Sequence, residues 1–138
     1  MLDYSLLENA AGALIQAPVV RGYAWPAGGR TFTLRLVRDD GWNNGEDGWT
    51  WRLLFDDRMA GGSALVSATA SAAAISGPAN QYLDLSFALS AEDSTALAGA
   101  GQSAMLVDLE SEDAQQKKSL WPEAHGKMTV RSAVGGGA

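Results

Sequence analysis

The chain contains no cysteine, so neither a disulfide framework nor a zinc-thiolate site contributes to it, and the redox compartment cannot be read from it. A single histidine, His125, has no Ser or Cys nucleophile and orienting carboxylate near it in sequence, as a catalytic triad would need. It is expected in a surface loop. Basic residues are few: 10 Lys and Arg stand against 16 Asp and Glu, for a formal net charge of -6. They are scattered apart from Lys117-Lys118, which reads as a solvated turn, so no face is rich enough in cations to neutralise phosphate. No nucleic-acid and no membrane partner is expected.

Long apolar runs are missing as well. No segment nears the roughly 20 apolar residues that span a bilayer. Met1-Leu2-Asp3-Tyr4-Ser5 lacks the basic start and apolar stretch of a secretory signal, so synthesis and first folding are expected in the cytoplasm.

What is present is a 138-residue chain, the size of one domain that buries its own core. Residues 1–18 carry Leu2, Leu6, Leu7, Ala10, Ala11, Leu14 and Ile15 at near-helical spacing, and Pro18 stops a helix there. They read as an N-terminal arm, helical and amphipathic. Leu2, Tyr4, Leu6, Leu7 and Leu14 are many apolar groups for a terminus, and either pack on their own domain or dock on a neighbouring subunit. From Val19 the pattern changes to period two, and residues 19–134 read as a β domain, with residues 135–138 a flexible glycine-rich tail.

Phe32, Leu34 and Leu36 alternate with Thr31, Thr33 and Arg35 in a first strand. The stretch from Asp39 to Gly48, with Asp40-Gly41, Asn44-Gly45 and Asp47-Gly48, is a polar loop expected outside the core. From Trp49 to Asp56 the alternation returns, placing Trp49, Trp51, Leu53 and Phe55 on one face. Ala64–Thr69 and Ala72–Ser76 form a weaker pair of strands, for which helix stays open because alanine favours it. Leu83, Leu85, Phe87 and Leu89 mark another strand. Ser90 with Asp93 is an N-cap signal for a helix near residues 91–98, closed by Gly99. Met105, Val107 and Leu109 share a face of the next strand, and Met128 and Val130 a face of the last. About seven strands with no βαβ alternation give an all-β, antiparallel, immunoglobulin-like β-sandwich.

No constellation carries chemistry, and the expected function is not enzymatic. Asp39-Asp40, Glu46-Asp47 and Asp56-Asp57 lack the alternating oxygen ligands and central glycine of a calcium loop and read as solvated turns, so neither metal nor cofactor is expected. A hydrolase would need such carboxylates gathered in a cleft. Five tryptophans are the most unusual feature. Trp49 and Trp51 are assigned to packing. Trp25 and Trp121, each before a proline, and Trp42, in the polar loop, are the candidates for partner binding, as exposed rings that anchor an interface or stack on sugar, or for covers over the open ends of a sandwich.

The order of signals resembles a β-sandwich domain of tailed-bacteriophage virions, as in the N-terminal domain of upper baseplate proteins and in small tail-fibre-associated structural proteins. The matching residues are Gly29-Arg30-Thr31-Phe32-Thr33-Leu34, Asp39-Asp40-Gly41, Trp49 to Phe55, Leu83-Asp84-Leu85-Ser86, Ser94-Thr95-Ala96-Leu97, Val107-Asp108-Leu109 and Gly126-Lys127-Met128-Thr129-Val130. They span about residues 20–134; the arm and the Asp39–Gly48 insertion lie outside the pattern. The resemblance implies a non-enzymatic virion protein, an adaptor, collar, baseplate or fibre-attachment subunit, that contacts other virion proteins and forms a symmetric homo-oligomer. A capsid decoration protein and a carbohydrate-binding module with a glycan partner are the alternatives.

Overall fold

The computed structural model describes residues 19–56, 66–97, 102–121 and 126–133. The expectations for the arm (Leu2, Tyr4, Leu6, Leu7, Leu14), Asp57, Gly99, His125 and the tail fall outside these residues.

The chain is an all-β sandwich. Among the described residues nine strands run in the order β1 (Val19–Val20), β2 (Phe32–Val37), β3 (Thr50–Asp56), β4 (Val66–Thr69), β5 (Ala72–Ser76), β6 (Tyr82–Phe87), β7 (Gln102–Glu112), β8 (Lys118–Leu120) and β9 (Gly126–Arg131), with helix α1 (Ala91–Ala96) after β6. The larger sheet has the order β1-β9-β7-β3-β4, with β8 also paired to β7; the smaller is β2-β6-β5. Two short strands, β1 and β8, raise the count above the expected seven. One pairing departs from the antiparallel expectation, because β1 lies parallel to β9, with Val19 opposite Val130.

Period-two alternation does what the sequence implies. Phe32, Leu34 and Leu36 of β2, Leu83, Leu85 and Phe87 of β6, Trp51, Leu53 and Phe55 of β3 and Met105, Val107 and Leu109 of β7 are all buried and meet in one apolar cluster between the sheets. Each such large side chain, taken out of water, contributes roughly 1.5 to 3 kcal/mol. The Ala-rich stretch is strand, not helix. Its two strands do not pair with each other: Ala70 N–H donates to the Trp51 carbonyl in the larger sheet and the next residue, Ser71, donates to the Ser86 carbonyl in the smaller. The chain crosses between sheets there, and only small side chains accompany the crossing.

Helix α1 starts as its cap signal requires, the Ser90 hydroxyl accepting from Asp93 N–H at 3.1 Å, with Glu92 and Asp93 in the first turn. It is tied to the sheet edge by two polar links. Buried Ser94 accepts from Gly22 N–H at 3.1 Å, and buried Arg21 donates from Nε to the Leu97 carbonyl at 2.7 Å.

Candidate binding groove beside the tryptophan cluster

The Asp39–Gly48 loop was expected to stay outside the core, and here the structure corrects the sequence reading: Trp42 is 3% exposed and Glu46 6%. The loop folds back over one end of the sandwich because its backbone is bonded there. Arg38 N–H donates to the Gln81 carbonyl at 2.9 Å and Trp42 N–H to the Asn80 carbonyl at 2.8 Å. The indole of Trp42 then reaches inward and donates to the Leu36 carbonyl at 3.3 Å. One large apolar ring among turn residues is enough to pull the segment down, since burying it outweighs what the polar backbone loses once that backbone is paired.

Glu46 enters by a reciprocal turn. Its N–H donates to the Asn43 carbonyl at 3.1 Å while its carboxylate accepts from Asn43 N–H, the same logic as a capping box. Its own carbonyl accepts from the Trp51 indole at 2.9 Å. Arg38 lies 4.0 Å from the Glu46 carboxylate and stacks over the Trp42 ring at 5.0 Å. Glu46 is thus a built-in element of the fold, where the sequence reading saw a solvated turn. The Asn-x-x-Glu spacing was the signal available to find it.

Four of the five tryptophans gather at this end. Trp42 meets Trp51 edge-on at 6.0 Å and Trp121 at 5.5 Å, Trp121 lies 5.5 Å from Trp51, and Trp49 stacks on Trp51 at 6.1 Å with only 22° between the rings. Trp121, half-buried, donates its indole N–H to Ser111 Oγ at 2.8 Å. Trp25 instead packs on Phe32 at 5.5 Å and pairs by backbone with Leu89. At 3% exposure it presents no ring to a partner. Of the two readings that the sequence left open for Trp25 and Trp42, burial overturns the exposed, partner-binding ring and fits the cover over an end of the sandwich. Both cover core edges, and Trp121 does so in part.

Trp49, which sequence reasoning assigned wholly to packing, packs against the core only in part, as Trp121 does. Trp49 is half-buried and lines a groove of about 490 Å³ together with Asn43 to Glu46 and Gly48 of the preceding turn and Glu112, Asp113 and Ala114 at the end of β7. Glu112 is held in place by Arg52, whose Nη1 donates to it at 2.8 Å and to Glu110 at 3.2 Å. The hydrogen bond to Glu112 is the main cause raising the Arg52 guanidinium above its ordinary range, with burial opposing and Glu110 adding to it. Asp113 Oδ1 accepts from the N–H groups of Gln115 and Lys117, both at 2.9 Å, fixing the turn that follows.

The groove therefore combines a half-buried indole with Glu112, held by Arg52, and Asp113, held by two backbone N–H groups, beside the exposed turn residues Asn43 and Asn44. Among the described residues no cluster of three or more His, Cys, Asp or Glu side chains is placed to hold a metal ion, and no helix is long and apolar enough to cross a membrane. No family model, no curated protein and no solved structure matches this chain.

Proposed function

We propose that this chain is a non-enzymatic structural protein of a tailed-bacteriophage virion, an adaptor, collar, baseplate or fibre-attachment subunit that works by burying surface against other virion proteins and copies of itself. The observation that supports the reading is the placement of the segments on which the resemblance rests. Phe32 to Leu34 lie in β2, Thr50 to Phe55 in β3, Leu83 to Ser86 in β6, Ser94 to Ala96 in α1, Val107 to Leu109 in β7 and Gly126 to Val130 in β9. A motif order scattered over loops would have carried no such weight.

The contact elements fit the same reading. Among the described residues β1 is the outermost strand of the larger sheet, and residues 1–18 precede it in the chain. An edge strand offers unpaired backbone groups to a neighbouring chain, so Leu2, Tyr4, Leu6, Leu7 and Leu14 are the residues of the arm that dock on an adjacent subunit. A symmetric assembly uses such an arm once per copy.

The test is quantitative mass spectrometry of purified virus particles from the source culture, counting copies of this chain against the major capsid protein. A count matching one or a few closed rings supports the adaptor reading. A count in proportion to the major capsid protein replaces it with capsid decoration, and absence from the particle overturns both.

A further inference from the structure

We infer that the groove beside Trp49 is a binding site for a neutral sugar, a short oligosaccharide of uncharged pyranose units. The inference stands apart from the virion role and uses a residue that sequence reading assigned to the core.

The first argument is the platform. Trp49 is held by near-parallel stacking on buried Trp51, so its ring is oriented before any ligand arrives and little side-chain freedom is lost on binding. An indole held at the surface offers a π face to the C–H face of a pyranose. The second argument is the surround. Asn43, Asn44, Glu112 and Asp113 line the same groove as the ring. Amides donate and accept, carboxylates accept, and together they match the alternating donor and acceptor capacity of vicinal hydroxyls. The volume, about 490 Å³, lies in the range of small-ligand sites.

Charge selects the class. A purely apolar ligand would strip water from these amides and carboxylates with nothing in return. An anionic sugar would meet Glu112 and Asp113 in a protein of net charge -6. A cation is disfavoured because Glu112 and Glu46 already face arginines, Arg52 at 2.8 Å and Arg38 at 4.0 Å, while the bonds to Glu112 Oε1 and Asp113 Oδ1 leave the second oxygen of each carboxylate as an acceptor for a hydroxyl. A neutral polyol satisfies the polar groups without an unbalanced charge.

The experiment is titration of the full-length ¹⁵N-labelled protein with cellotriose, maltotriose and chitotriose, with trigalacturonate and trilysine as charged probes, following the five indole N–H resonances by NMR. Saturable movement of the Trp49 resonance with at least one neutral trisaccharide is expected, with about tenfold weaker binding in Trp49→Ala. Trp49→Phe should retain most of the affinity. Asn44→Ala, a change on an exposed turn, should weaken binding roughly fivefold and keeps the test valid if Trp49→Ala does not fold. The inference is overturned if no neutral sugar binds, if binding survives unchanged in both Trp49→Ala and Asn44→Ala, or if only trigalacturonate or trilysine moves the resonance.

Discussion

The indole N–H of Trp51 donates to the backbone carbonyl of Glu46 at 2.9 Å, joining the start of core strand β3 to the 3-10 turn Glu46–Gly48 that precedes it. Both groups are buried, and the same indole contacts Trp42, Trp49 and Trp121. Trp51→Phe removes the donor, orphans the Glu46 carbonyl and leaves a void among three rings. The expected loss is about 2 to 3 kcal/mol in urea denaturation. A loss under roughly 0.5 kcal/mol would show that the loop is held by its backbone alone.

Gly41 and Gly45 both have left-handed backbones, with φ of 83° and 103°, but their surroundings differ. A Cβ on Gly41 would overlap the Ala79 carbonyl oxygen, a backbone atom that cannot swing aside, whereas at Gly45 there is open space. Gly45→Ala should therefore cost only the conformational term, about 1 kcal/mol, and Gly41→Ala well above it, on the order of 3 kcal/mol. Thermal denaturation of the two variants side by side checks the order.

Arg52 and Arg35 make similar ion pairs in different settings. Arg52 bridges Glu110 and Glu112 with its side chain 25% exposed, while Arg35 pairs with Asp84 at 2.8 Å with its side chain 47% exposed. Arg52→Ala leaves two glutamates on one strand face without their cation and is expected to cost about 1 kcal/mol; Arg35→Ala should leave the urea midpoint unchanged. Both guanidinium pKa values are raised, Arg35 chiefly by its hydrogen bond to Asp84 and Arg52 chiefly by that to Glu112. A raised folded pKa gives stability that is complete below the unfolded value and lost only as pH climbs through the folded one. Neither arginine should therefore contribute any slope to stability between roughly pH 6 and 10, and the difference between wild type and Arg52→Ala should stay constant across that window.

Ser94 joins helix α1 to the segment after β1 by accepting from Gly22 N–H at 3.1 Å and donating to the Ala91 carbonyl at 2.9 Å. Ser94→Ala leaves the Gly22 N–H without this acceptor at a fully buried hydroxyl position. A loss of about 1 to 2 kcal/mol is expected, with faster hydrogen exchange at the Gly22 amide as its local signature.

Much of this fold could be read from spacing. The alternation in β2, β3, β6 and β7 places the same side chains inside that the structure buries, and Ser90 with Asp93 marks the start of α1. The loop from Asp39 to Gly48 could not be read so, because its many polar residues hide a single ring whose burial decides where the loop lies. The candidate groove was less legible still. Asn43, Asn44 and Trp49 are near in sequence, but Glu112 and Asp113 reach them only because Thr50 of β3 pairs with Glu112 of β7.

By itself the sequence determined the class of the protein and which side of each strand faces inward, because strand geometry alternates side chains whatever the partner strand is. Only the tertiary structure decided which strands share a sheet, that β1 runs parallel to β9, and which tryptophans stay half-exposed. Those outcomes depend on pairings between residues far apart in the chain. The burial of Trp25 and Trp42 and the half-exposure of Trp49 are set by which loop and which strand end come to cover each ring.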